Sequence, residues 1–101
     1  MAQQKSVEWL NDALSELYEI AAYIQEAFDS DAAERFVLEA YAKSERQAQY
    51  PETGRLSSRF KTIRWVKIGK HHRMYYRVKS GVLQVIRLVD MRRDPRKDSY
   101  R

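Results

Sequence analysis

A change of hydrophobic period at Pro51 constrains this chain more than any other feature. Before it, apolar residues recur every three to four positions; after it, they come in short β-branched and aromatic runs. Leu10, Leu14, Leu17, Ala21, Ile24 and Phe28 form one helical stripe, widened by Ala13 and Ile20. Glu16, Glu19 and Glu26 fall on the other side of that helix. Asn11 is the expected N-cap, with Asp12 favouring the helix start. Asp29-Ser30-Asp31 breaks the pattern, and Asp31 with Glu34 reads as a capping box for a second helix. That helix carries Ala33, Val37, Ala40, Ser44 and Ala48 on one stripe. It must end at Tyr50, because the residue before a proline is pushed out of the helical region. A connection of about three residues makes the two helices an antiparallel hairpin.

Beyond the Thr53-Gly54-Arg55 loop, residues 60–68, 70–78 and 82–89 read as strands, and residues 5–9 as a short first strand. Gly69 marks one turn, and Lys79-Ser80-Gly81 fits a three-residue hairpin loop. The tail over residues 90–101 is polar and is expected to wrap an edge or fray. The predicted fold is α+β, one domain over residues 1–101. An N-terminal strand and a helical hairpin pack on one face of a mostly antiparallel, roughly four-stranded sheet.

Charge divides at the same place. Residues 1–50 carry four Lys/Arg and ten Asp/Glu, while residues 51–101 carry fifteen and four, for a total of +5. Such segregation implies one surface built for anions, with nucleic acid or an acidic partner as the candidates. The absence of cysteine excludes disulfide frameworks and thiolate zinc sites. No apolar run has the length of a membrane span or a signal peptide, so the expected location is the cytoplasm.

Strand alternation puts Met74, Tyr76 and Val78 on one face and Arg73, Tyr75, Arg77 and Lys79 on the other, with His71. With the three-residue loop setting the register, Arg73 lies opposite Arg87, a repulsive pair that an anion would relieve. Arg64, Arg92 and Arg93 extend the expected cluster, with Asp90 the one acid nearby in sequence. His71-His72 makes a poor metal site, since strand neighbours point to opposite faces and no further ligand is suitably spaced. Tyr75 and Tyr100 are candidates for stacking on bases. There is no glycine-rich phosphate loop, acid dyad or nucleophilic triad, and neither metal nor cofactor is expected.

Several segments, taken in order, resemble one family. They are Val7-Glu8-Trp9, Asp31-Ala32-Ala33-Glu34-Arg35-Phe36, Tyr50-Pro51-Glu52-Thr53-Gly54-Arg55, Arg73-Met74-Tyr75-Tyr76-Arg77-Val78, Val85-Ile86-Arg87-Leu88-Val89 and the Arg92-Arg93 pair. The ordered set resembles toxins of the RelE/ParE superfamily of bacterial type II toxin–antitoxin systems. The resemblance implies a growth-arresting toxin held in check by a cognate antitoxin. RelE-like members cleave mRNA in the ribosome, using basic residues on the sheet to hold the scissile phosphate; ParE-like members poison DNA gyrase. By motif position Arg73, Arg92 and Tyr100 match catalytic residues, and Arg64 and Lys67 match basic residues of the preceding strand. Arg77, Arg87 and Arg93 complete the expected RNA- or anion-binding set. The leading expectation is a ribosome-dependent mRNA endonuclease, with ribosome and mRNA as partners; the alternative is a gyrase poison without nuclease chemistry. Two departures bear on the choice. Asp90 stands where many relatives have histidine, and the helix pair with the Tyr-Pro-Glu-Thr-Gly-Arg turn is closer to ParE-like members.

Overall fold

The computed structural model describes residues 6–92 and Tyr100. In chain order it contains β1 (Ser6–Trp9), α1 (Asn11–Ala27), α2 (Ser30–Gln49), a 3-10 turn (Pro51–Thr53), β2 (Arg55–Leu56), β3 (Arg64–Ile68), β4 (His72–Lys79) and β5 (Val82–Asp90). The strands form one sheet of five in the order β1-β5-β4-β3-β2. Only the β1–β5 pairing is parallel; the others are antiparallel. This is the predicted α+β fold with one additional short strand, β2, at a place read as loop.

The helix boundaries agree with the periodicity, but their caps do not. Leu10 precedes α1 without a side-chain cap, and Asp29 caps α2 by accepting the Ala32 N–H at 2.7 Å. The nearer acid wins because its carboxylate reaches the first free amides of a helix that starts at Ser30 rather than after Asp31. The hairpin buries small residues on its inner side. Ala13, Leu17, Ala40 and Ala48 meet Ile68, Met74, Tyr76, Leu83, Val85 and Leu88 of the sheet. Alanines let the helices approach closely, while each large sheet side chain taken from water contributes about 1.5–3 kcal/mol. Phe28, expected on the stripe, is 75% exposed beyond the end of α1.

The Tyr-Pro-Glu-Thr-Gly-Arg segment is fastened by one buried hydroxyl. Tyr76 Oη donates to the Pro51 carbonyl (2.6 Å) and accepts from Gln47 Nε2 (3.0 Å) and the Gly54 N–H (3.1 Å). Burial pushes the Tyr76 pKa up. Gly54 has an ordinary extended backbone; it must be glycine because a Cβ there would lie 2.1 Å from Tyr76 Oη.

The register of β4 and β5 differs from expectation in two ways. The hairpin turn has two residues, with Ser80 at φ 52° and Gly81 at φ 77°, so that Lys79 pairs with Val82. Such a turn follows the right-handed twist of its strands. A β-bulge then intervenes: Tyr75 pairs with Arg87 but Tyr76 with Val85, leaving Ile86 as the extra residue. Arg73 therefore lies opposite Val89, not Arg87.

Candidate functional site

The face of the sheet turned away from the helices is set by alternation along β4. Met74 and Tyr76 enter the helix-covered core, so Arg73, Tyr75, Arg77 and Lys79 lie on the other side. Val78, expected in the core, is 42% exposed near the hairpin end, where the helices no longer cover it. Pairing extends the open face across the sheet: Lys67 lies opposite Arg73, Trp65 opposite Tyr75, and Arg55 of β2 opposite Trp65.

Two chemically distinct parts make up that face. One is a small second core of Ile63, Tyr75 and Ile86, packed by Leu10, Trp65, Val89 and Tyr100. The Tyr100 ring lies 5.7 Å from both Phe60 and Tyr75, and its carbonyl accepts from Ser57 Oγ at 2.5 Å. The other part is basic. The Arg73 guanidinium lies 3.8 Å from the Trp65 ring centroid and Arg55 lies 5.5 Å from it, both cation–π contacts. Arg73 Nη1 also donates to Tyr75 Oη at 3.2 Å, while its Nε is buried without a hydrogen-bond partner. Arg77 Nε donates to Gln84 (2.9 Å), whose amide donates in turn to Glu8 (2.9 Å) on the far edge strand.

The basic residues expected to converge are dispersed instead. Arg64 pairs with Tyr76 on the helix side and donates to the Gly54 carbonyl at 2.8 Å, supporting the turn. Arg87 leaves the open face at the bulge and makes a two-pronged contact with Glu16 of α1, with Nη2 to Oε2 at 2.6 Å. The Glu16 carboxylate also accepts the Leu88 N–H at 2.9 Å, capping β5 where β1 no longer covers its edge. This pairing, ahead of the opposing cost of burial, raises the Arg87 pKa. Arg92 is joined to Asp90, with Nη2 to Oδ2 at 2.8 Å. The hydrogen bond from Arg92 holds the Asp90 pKa down at about 2. Of the expected set, Arg73, Arg77 and Lys67 share the open face, with Tyr100 packed at its apolar part. Arg93 lies outside the described residues.

Sequence reasoning missed Glu16, Arg55 and Trp65. Helical spacing puts Glu16 on the solvent side of α1, and nothing local points it at a bulge seventy-one residues away. Arg55 and Trp65 were separable only once β2 was known to be a strand. On the helix side, a groove of about 1020 Å³ runs between α1, α2 and the far ends of β4 and β5. Its lining includes Tyr23, Ile24, Phe28 and Phe36 beside Asp90 and Arg92. His72 lines it too, with its ring 5.1 Å from Phe36.

A two-helix hairpin on one face of a mostly antiparallel sheet, with a partly basic opposite face, defines the class as a small α+β domain with an anion-attracting sheet face. Residues 7–95 match the family model for the ParE toxin of the type II toxin–antitoxin system, parDE, and the chain belongs to that family. Its fold is similar to a solved chain from the chromosomal ParDE TA system of P. aeruginosa. The TM-score is 0.74 at 18% identity, covering 86% of this chain and 96% of that one. No curated protein sequence matches the chain. Membership of a toxin–antitoxin toxin family implies an antitoxin partner. Among the described residues, no helix is long and apolar enough to cross a membrane.

Proposed function

We propose that this toxin arrests growth as a DNA gyrase poison, acting by binding rather than by cutting RNA. The observation that carries this reading is that Arg87 and Arg92 are each joined to a carboxylate, Glu16 and Asp90. Cleavage of RNA by its own 2′-hydroxyl needs cations preorganised around the developing phosphorane and a base for the departing proton. An arginine held by a carboxylate is already neutralised. Asp90, in the position where many relatives carry histidine, is occupied by Arg92 and has its pKa held well below neutrality. Such a group is a poor proton acceptor at neutral pH. Membership of the ParE family supports the same reading. The antitoxin is expected to mask the toxic surface until it is degraded or outnumbered.

One observation favours mRNA cleavage. Arg73, Tyr75 and Tyr100, two of them expected catalytic residues, adjoin one another on the open face. A single experiment separates the readings: induce the toxin and follow DNA and protein synthesis with radiolabelled precursors, assaying in parallel for trapped gyrase–DNA complexes. DNA synthesis should fail first, with complexes trapped and an SOS response. If translation stops first and cleaved mRNA accumulates, the poison reading is lost.

A further inference from the structure

We propose that the β2–β3–β4 half of the open face is a clamp for the backbone of duplex DNA, formed by Arg55, Lys67, Arg73, Arg77 and Lys79 around Trp65. This rests on the gyrase reading only in naming whose DNA it is: the duplex that the enzyme holds.

Among the described residues two ion pairs form, and both lie toward the β5 end, at Arg87 and Arg92. None of the five cations of the clamp has a carboxylate partner there. On the strands of this face Glu8 is the one acid among the described residues. It sits on β1, the opposite edge of the sheet from β2, and is hydrogen-bonded to Gln84. The acidic helices pack on the other face and cannot screen the patch. Five cations on one side of a small sheet, with the one described acid of that face reaching only Arg77 and only through Gln84, attract a polyanion.

Trp65 then decides what kind of polyanion. A guanidinium resting on a ring is held in place, so less entropy is lost when it meets a phosphate. The same contact occupies one face of the ring, with Arg73 3.8 Å from its centroid. Tyr75, next to it, is 0% exposed. A platform for single strands needs bare aromatic faces on which bases stack; among the described residues the half-exposed ring of this face, Phe60, lies in the apolar part against Tyr100 rather than among the cations. It offers cations to a surface that shows only phosphates, which is the outside of a duplex. From Arg73 to Lys79 the stripe runs about 20 Å along β4, and β3 and β2 widen it by about 5 Å each. That length spans about six base-pair steps.

The test uses full-length toxin, freed of antitoxin, with a fluorescein-labelled duplex DNA of random sequence, followed by anisotropy over a salt series. With five phosphate contacts, log K should fall against log salt with a slope of about −4.5. Affinity should then drop about 500-fold between 50 and 200 mM salt. The Lys67→Gln/Arg77→Gln/Lys79→Gln variant removes three side chains outside both cores and should reduce the slope to about −2. Arg35→Gln/Lys43→Gln/Arg46→Gln removes the same charge from α2 and should leave the slope unchanged. Circular dichroism and melting curves certify that each variant is folded. No measurable duplex binding, or equal losses from the two triple variants, overturns the clamp. So does tighter binding to single-stranded DNA or to RNA. If the sheet variant fails to bind gyrase in the absence of DNA, the face is a protein-docking surface and the clamp is wrong. Duplex binding with the expected slopes but no trapped gyrase complex in the induction experiment supports the clamp and removes only the gyrase reading.

Discussion

Replacing Glu16 with alanine is expected to destabilise the toxin by about 2–3 kcal/mol, a large effect for a charged residue on a helix classed by periodicity as solvent-facing. Its carboxylate accepts from Arg87 Nε and Nη2 and from the Leu88 amide, at 2.6 to 3.0 Å. Removing one partner from a fully buried pair costs about 3–5 kcal/mol. Here the Arg87 and Glu16 side chains are 32% and 21% exposed, so the freed guanidinium regains some water and the pair contributes about 2 kcal/mol or less. The Leu88 N–H, left without its acceptor at the sheet edge, adds about 1 kcal/mol. In a chain of this length that corresponds to a fall in Tm of about 10–20 °C. Urea melts followed by tryptophan fluorescence, with Arg87→Gln and the double variant closing a thermodynamic cycle, should return a coupling energy of about 1–2 kcal/mol. Glu19→Ala, one turn along the same helix, is the control and should change stability by less than about 0.5 kcal/mol. Equal effects of the two substitutions, or no coupling in the cycle, would refute the assignment of Glu16 as the cap of β5.

Gly54→Ala should cost about 3 kcal/mol in a urea melt, because the new methyl would lie 2.1 Å from the buried Tyr76 hydroxyl. Tyr76→Phe should not fully rescue it, since the ring carbon Cζ would still lie 2.8 Å from the methyl. Tyr100→Ala should lower stability by about 1–2 kcal/mol and increase binding of a hydrophobic dye, by uncovering the Ile63–Tyr75–Ile86 core. The Asp90–Arg92 contact gives a small pH dependence of known sign. Asp90 titrates at about 2 when folded against an ordinary 3.8, so the unfolded chain binds the proton more readily. Its contribution is fully present above about pH 5 and disappears as pH falls toward 2. Melts between pH 5 and 2 should show a smaller loss in Asp90→Asn than in the parent; an equal loss would place the acid sensitivity elsewhere.

The fold was legible because each half repeats its own period many times. A single misplaced residue does not alter a stripe of five alanines, valines and serines, and Tyr50-Pro51 can end a helix in only one way. The site was less legible because it depends on register, which two local events control. Ser80 at φ 52° is an uncommon conformation for a residue with a side chain, so the sequence Lys-Ser-Gly suggests a longer loop with only the glycine left-handed. The bulge at Ile86 leaves a trace, two adjacent apolar residues followed by Arg87, but a strand buried on both faces looks the same. Each event shifts the pairing, and together they take Arg87 away from Arg73. Tyr75 shows a further limit. Alternation with arginines marks it as exposed, yet Ile63, Ile86 and Tyr100 cover it completely, and those residues arrive from a loop, a bulge and the chain end.

Segregation of charge along the chain is therefore not segregation in space. Where α1 crosses the end of β5, the acidic half supplies Glu16 to the basic half, and the strand supplies Asp90 to its own continuation. Neutralisation at that end is a consequence of topology: β5 is the strand that both β1 and α1 contact, and it projects beyond β1. Strands β2 and β3 lie at the other edge, and among the described residues no ion pair forms on the side chains they direct away from the helices. Against the described acids those cations stay unpaired for a geometric reason, since the acidic helices pack on the other face. Adding an acid to the helices would change the net charge and leave the clamp intact, whereas Trp65→Glu would place a carboxylate between Arg55 and Arg73 and should abolish duplex binding while altering net charge by only one.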